Sequence, residues 1–362
     1  MKVVEPAPWI CSIPEYVPGR SKEDIARQYG AANPIKLASN ENPLGPSPRA
    51  LSAMRSALEA THLYPDPDAK DLRAAAARFF GCKPEDIIAG NGSDEIIDLI
   101  CRTYLRPGDE VVIPECTFSY YAIASQACGG VVKGASMRGH HIDIKGIKAS
   151  VSPRTRVIFV ANPNNPTGTC LNRDEVSELI SRVPGGVLIV MDEAYSSFVR
   201  QADFQGCTGL VHRHENLITV HTLSKSHGLA GLRVGFGIAS GSLLKNMQRI
   251  KPPFNVNHLA QKAGEAALGD DDFLKETLRI TWEGLDRLYQ AFDRLGISYI
   301  PSQTNFVMAH IGKDASRVYG ELLKKGIITR SMVSFGLHEH IRVSIGTPEE
   351  NDAFVAALEE VL

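Results

Sequence analysis

Several things are missing from this 362-residue chain. No apolar stretch approaches the ~20 residues that a membrane-spanning helix needs; runs such as Val187-Leu-Ile-Val-Met191 are typical. Charge of one sign is missing too. Thirty-nine Lys and Arg against 41 Asp and Glu give a net charge of -2, which offers no electrostatic footprint for nucleic acid or an anionic bilayer. The seven cysteines are odd in number and none forms a Cys-x-x-Cys pair. That pattern argues for reduced thiols in the cytoplasm and against a disulfide framework or zinc site. Glu5, Pro6 and Pro8 interrupt the N-terminus, so no secretory leader is expected. Repeats and low-complexity tracts are absent. What remains is 43% hydrophobic and 22% charged residues, enough to bury a full core, and the length suggests two lobes.

One stretch departs from this ordinary background: Thr222-Leu-Ser-Lys-Ser-His-Gly-Leu-Ala-Gly-Leu-Arg-Val-Gly-Phe236, preceded by Leu217-Ile-Thr-Val220 of strand composition. Lys225 leaves a buried strand for a glycine-rich turn, where it is poorly solvated. Desolvation lowers an amine's pKa and makes it a nucleophile. A lysine at a strand end ordinarily snorkels to water, but the neighbours here favour a different reading. Thr222 and Ser224 offer hydroxyls, and Arg233 offers a fork suited to phosphate. An amine beside a phosphate-shaped site is what an aldehyde cofactor carrying a phosphate requires, and pyridoxal phosphate is such a cofactor.

The rest of the chain alternates strand and helix patterns. Ser21 is placed to cap a short helix reaching Tyr29, and an alanine-rich helix should stop at Gly81. In Ile87-Ile-Ala-Gly-Asn-Gly-Ser-Asp94, Ser93 is expected to cap a helix that buries Ile96, Ile97, Ile100 and Tyr104. The N–H groups of such a helix start form a phosphate site, although a plain capped helix reads the same way. Strands are predicted at 111–113, 156–160, 187–191 and 217–221, a helix at 117–127, and a capping box at Asn172 and Glu175. This alternation implies an α/β fold, a mostly parallel sheet covered on both faces. Asn165, Asp192 with Tyr195, and Lys225 all fall just past C-terminal strand ends, where open α/β sheets bind ligands.

Past Lys251-Pro-Pro253 the pattern changes to one long helical region, 258–295, and strands at 302–310 and 341–344. Three parts are expected: an arm at 1–35 packing with the small domain, a large domain at 36–255, and a small α+β domain at 256–362. Arg330 and Arg342 lie in the last of these. Within the strand pattern Arg342 should face solvent unless the small lobe closes over the large one, where it would clamp a carboxylate or phosphate. His140-His141 and His338-Glu-His340 read as solvated loop residues, not as metal ligands.

The motifs Ser-Asn-Glu-Asn-Pro-Leu-Gly-Pro (39–46), Tyr-Pro-Asp (64–66), Asn-Asn-Pro-Thr-Gly (164–168), Asp-Glu-Ala-Tyr (192–195) and Ser-Lys-x-x-Gly-Leu-Ala-Gly-Leu-Arg-Val-Gly (224–235) resemble those of fold-type I pyridoxal-phosphate-dependent aminotransferases. The histidinol-phosphate branch is the most similar, and the likeness spans essentially the whole chain. It implies a three-layer αβα large domain and a set of roles. Lys225 would carry the cofactor aldehyde and move the proton, and Asp192 would pair with the pyridine nitrogen. Asn165 and Tyr195 would bond the ring's 3′ oxygen, and Phe118 would stack on the ring in place of a more usual Tyr. Ser93, Asp94, Thr222, Ser224 and Arg233 would hold the phosphate. Tyr64 would reach that phosphate from the second subunit of a homodimer. Arg342 would take the substrate's carboxylate or phosphate, with Arg330, Tyr16 and Asn42 around it. Ser226-His227 departs from the usual Ala-Phe, and His227 is expected to fill the same space. The resemblance implies amino transfer between L-histidinol phosphate and 2-oxoglutarate, with aromatic amino acids as the rival substrates. A nicotinamide site is disfavoured because Gly235-Phe-Gly237 has no third glycine at the required spacing.

Overall fold

The computed structural model describes residues 4–15 and 19–362. The strands in chain order are β1 (Ile35–Lys36), β2 (Ile87–Asn91), β3 (Glu110–Pro114), β4 (Val131–Ala135), β5 (Met137–Arg138), β6 (His141–Ile142), β7 (Thr155–Ala161) and β8 (Leu188–Asp192). They continue with β9 (Leu217–Thr222), β10 (Val234–Ala239), β11 (Ser298–Ile300), β12 (Phe306–His310), β13 (Ile327–Ile328), β14 (Arg330–Ser331) and β15 (His340–Ser344). Seven of them form one sheet in the order β2-β10-β9-β8-β7-β3-β4. It is parallel except for β10, which runs antiparallel to both β2 and β9.

Alternation along these strands builds the layers. Ile158 and Val160 of β7 enter the core on one face of the sheet, while Val157 and Phe159 enter the core on the other. The helix Gly92–Tyr104 supplies Ile96, Ile97 and Ile100 to the second core, and the helix Arg173–Arg182 supplies Val176, Leu179 and Ile180 to the first. Val176, Leu179 and Ile180 follow the i, i+3, i+4 spacing of a buried helix face, and Ile96, Ile97 and Ile100, at i, i+1, i+4, also share one face. Three of the helix ends expected from the sequence form: Ser21 accepts from the Asp24 N–H, the alanine-rich helix Lys70–Phe80 stops at Gly81, and Asn172 and Glu175 make a reciprocal capping box.

A second, antiparallel sheet runs β11-β12-β15-β14. Its core joins Val307, Ile341 and Val343 to Leu285, Leu288 and Phe292 of the helix Asp271–Leu295. The arm docks on this part of the chain: β1 pairs in parallel with β13, and Ile25 packs against Leu323 and Ile328.

Four expectations change. The helical region 258–295 is two helices, His258–Ala267 and Asp271–Leu295, broken at Gly269 and Asp270, where Ser47 Oγ donates to Asp270 at 2.5 Å. The first of the two buries Ala260, Ala263 and Ala267 with Leu72 in the large-sheet core, so a boundary at residue 256 cuts through that packing. The helix expected at 117–127 begins only at Tyr120, because Thr117 turns its hydroxyl to Asn164, 2.7 Å away. The strand expected from 302 starts at Phe306, because Ser302 and Thr304 spend their hydroxyls on a local turn.

Candidate active site

The C-terminal ends of β7, β8 and β9 open into a cavity of about 250 Å³ whose far wall comes from the second sheet. Strand β9 is buried along its whole length, and the chain then turns through Leu223 and Lys225 with little room to spare. Gly228 has φ +69°, and a Cβ there would sit 2.0 Å from Gly45 O. Gly235 is just as confined: a Cβ would lie 2.4 Å from the Gly92 and Ser93 backbone. This close approach brings the start of the helix Gly92–Tyr104 beside the lysine loop.

Lys225 projects into the cavity and donates from Nζ to Ser39 O at 3.1 Å. Burial brings its amine down to about 8, and the positive field of Arg342 adds to the effect. Asp192, at the end of β8, is buried; burial raises its carboxyl to about 6, against the pull of hydrogen bonds from the Tyr121 hydroxyl and the Ala194 N–H. Tyr195 is also buried, which raises its phenol, and Asn40 Nδ2 donates to its oxygen at 2.8 Å.

Cations gather at both ends of the cavity. At one, Arg233 pairs with Asp94 at 2.9 Å and reaches Ser224 Oγ at 3.4 Å. The Thr222 hydroxyl donates to Ser224 at 2.9 Å, and Ser93 lines the same end. At the other end Arg342 of β15 is only 6% exposed. It donates to Ala38 O at 2.7 Å and to Asn165 Oδ1, and it lies over the Phe306 ring. Arg330 lines the cavity beside it.

Most of the residues singled out in the sequence therefore meet: Lys225, Asp192, Tyr195, Asn165, Phe118, Ser93, Asp94, Thr222, Ser224, Arg233, Arg330 and Arg342 all line one cavity. The others are placed differently. Ser93 does not cap its helix; Asn91 holds the cap position, with no side-chain cap bond, and Ser93 lies in the first turn. Asn42 commits its amide to Ser226 O and Thr277, so that Asn40 takes the place in the cavity wall. Tyr64 is 82% exposed and stacks on Phe254 at 4.5 Å, away from the cavity lining. Tyr16 lies outside the described residues. Arg342 is buried, not solvent-facing, because β15 presents it to the first sheet. His227 is buried and packs edge-on to Phe79, with Ser226 Oγ 3.0 Å from its Nδ1.

His340 is half-buried between the rings of His140 and His310, so it is not a solvated loop residue. No metal-holding group of three or more ligand side chains occurs among the described residues. None of their helices is long and apolar enough to cross a membrane. The sequence reading missed Tyr121 and Asn40. Tyr121 obeys the rule that found Asp192, since it follows the C-terminal end of β3. Asn40 sits inside the quoted loop, two residues from the asparagine chosen.

Comparisons with known proteins identify the family. The chain is 43% identical over 354 residues to a histidinol-phosphate aminotransferase of Moorella thermoacetica, covering 98% of this chain and 92% of that protein. It is likewise 43% identical to histidinol-phosphate aminotransferase 2 of Ralstonia nicotianae, covering 98% and 96%. Among solved structures, the histidinol-phosphate aminotransferase of Sinorhizobium meliloti in complex with pyridoxal-5'-phosphate superposes with a TM-score of 0.92 at 30% identity, covering 99% of this chain and 98% of that one. Aspartate aminotransferase of Thermus thermophilus, with a TM-score of 0.85 at 21% identity, shares the fold. Residues 32–358 match the family Aminotransferase class I and II, to which this chain belongs.

Proposed function

We propose that the protein is a pyridoxal-phosphate-dependent transaminase. It moves an amino group between L-histidinol phosphate and 2-oxoglutarate, giving imidazole-acetol phosphate and L-glutamate, in histidine biosynthesis. The observation that carries this reading is the position of Lys225. Its amine is softened to about 8 and lies between a buried carboxylate and two cationic ends of one cavity. The donor set fits the cofactor. Arg233, Ser224, Thr222 and the uncapped start of the helix at Gly92 would hold its phosphate. Phe118 would cover the ring, Asp192 would meet the pyridine nitrogen, and Tyr195 with Asn165 would meet the 3′ oxygen.

Bound pyridoxal phosphate supplies an aldehyde that amines condense with and a ring that accepts the electrons of a broken C–H bond. The remaining work falls to the chain. With the cofactor bound, Lys225 Nζ would accept and hold the proton of the substrate's α-carbon, a task suited to an amine brought down to about 8. Asp192 would face the ring nitrogen and favour its protonated form. Arg342 and Arg330 orient the anionic group of the substrate, and the second sheet excludes water from above. Two further parts of the reading concern the whole molecule: a homodimer in which Tyr64 reaches the partner's phosphate site, and a place in the cytoplasm. The exposed Tyr64–Phe254 stack supports the first.

The test is the visible spectrum of the purified protein. A yellow band should bleach on adding histidinol phosphate and return on adding 2-oxoglutarate. A band that answers phenylalanine but ignores histidinol phosphate would move the substrate to the aromatic amino acids. No band after incubation with pyridoxal phosphate would overturn the whole reading.

A further inference from the structure

Behind Asp192 lies a group to which neither the family motifs nor the mechanism above gives a task. Tyr121 is fully buried, and its hydroxyl donates to Asp192 Oδ2 at 2.6 Å. Its ring stacks on Phe159 at 4.8 Å and 6° and packs perpendicular to Phe118 at 5.4 Å and 86°. The second carboxylate oxygen of Asp192 accepts from the Ala194 N–H at 3.0 Å. Both oxygens therefore have donors before any ligand arrives.

We propose that Tyr121 is a positioning residue for amino transfer, whose hydrogen bond keeps Asp192 ionised and aimed at the pyridine nitrogen, so that the ring retains its proton. The inference rests on the cofactor assignment above. The physical need is clear from the surroundings. A carboxylate and a pyridinium in a dry cavity are tempted to exchange the proton and become two neutral groups, because burial penalises both charges. A phenol donating to the carboxylate weakens it as a base and tips the balance back towards the charged pair. Burial raises the Tyr121 phenol well above its usual range, so it remains a donor at every working pH. The other charges facing Asp192 oppose one another: Lys225 favours its ionised form and Asp94 disfavours it. The neutral phenol thus stands as a fixed bias that does not change as Lys225 gains and loses its proton.

Tyr121→Phe keeps the ring and its stacking and removes only the oxygen. The measurement is the nitrogen-15 resonance of ring-labelled pyridoxal phosphate bound to the holoenzyme. In the wild-type protein it should lie at the protonated position; in Tyr121→Phe it should move towards the neutral-pyridine position. The same variant should lose about tenfold in kcat, with KM for the amino donor changed less than about twofold. A double-mutant cycle separates tuning from packing. On an Asp192→Asn background there is no charge left to hold, so Tyr121→Phe should cost nothing further. An unmoved nitrogen resonance in Tyr121→Phe, or an equal loss on both backgrounds, overturns the inference and leaves the proposed function standing. Failure of the wild-type protein to take up the cofactor overturns both.

Discussion

The two cationic ends of the cavity are built in opposite ways. The Arg233 side chain is 40% exposed and ion-paired with Asp94, and its backbone sits at φ +59° on a loop of the seven-stranded sheet. Arg342 is 6% exposed, lies on a strand of the second sheet, and is held by a backbone carbonyl and the Asn165 amide. The first end has its charge largely balanced and surrounds it with small hydroxyl donors, as suits a group that stays bound from one turnover to the next. The second end is a preorganised fork whose ordering cost was met during folding, as suits anions that arrive and leave. On the proposed reading the cavity would divide by sheet, one sheet keeping the cofactor and the other choosing the substrate.

The largest effect should come from the group between the ends. Lys225→Ala is expected to lose at least ~10³-fold in kcat, because it removes both the covalent anchor and the proton carrier. Both ends remain, so the variant should still take up pyridoxal phosphate and then histidinol phosphate, which isothermal titration would detect. Near-normal turnover by this variant would sink the assignment. Next comes Arg342→Gln, expected to lower kcat/KM about a hundredfold, since hydrogen bonds to charged groups are worth ~1.5–3 kcal/mol each. Its affinity for the cofactor should not change. Arg233→Gln should do the reverse on a smaller scale, weakening cofactor binding about tenfold because the partly exposed pair is screened by water. Steady-state kinetics at saturating cofactor should then look nearly normal. If both arginine variants damage the same parameter, the division by sheet is wrong.

The lysine sharpens the comparison through pH. Its folded pKa of about 8 is below the ordinary 10.5, so the neutral, nucleophilic amine is scarce in acid and dominant above pH 8. Capture of pyridoxal phosphate by the apoenzyme should accelerate about tenfold per unit up to roughly pH 8 and then level off. Stopped-flow absorbance would follow it. A plateau delayed until pH 10 would mean that burial does not soften Lys225.

The sheet-ward half of this site was legible in the sequence, and the reason is local. Lys225, Asp192 and Asn165 each end a strand whose apolar run is short and unmistakable, and open α/β sheets concentrate their chemistry at such ends. The opposite half depends on which way a strand in another lobe turns its residues. Nothing within Ile341-Arg-Val-Ser-Ile345 says that Arg342 points at the first sheet; that follows from β12 and β14 flanking β15 and from β1 tying the arm to β13. Asn40 and Asn42 show the same limit at the scale of one loop. Both are asparagines in one turn, and only the tertiary contacts to Tyr195 and Thr277 separate the cavity residue from the brace. Ser93 falls in the first turn and not at the cap, because the helix already starts at Gly92 with Asn91 in the cap position.

Glu193 offers the smallest effect and a check on the same reasoning, because it neighbours Asp192 yet faces the other way. Cys207 N donates to its Oε1 at 2.6 Å, and His221 lies 3.7 Å from its Oε2. Burial pushes its carboxyl up to about 7, from an ordinary 4.5. A carboxyl raised by folding binds its proton more tightly in the native state than in the unfolded chain. Its contribution to stability is therefore fully present below pH 4.5 and is lost as pH rises through about 7. Glu193→Gln keeps the acceptor for Cys207 and cannot ionise, so it should escape that loss. Urea midpoints should favour the variant over the wild-type protein more at pH 8 than at pH 5, while kcat stays within about twofold. A difference that is the same at both pH values would mean that Glu193 does not change protonation between them. An activity loss as large as that of Asp192→Asn would mean that the two carboxylates share one site, and the separate contacts of Glu193 with Cys207 and His221 would no longer account for the chemistry.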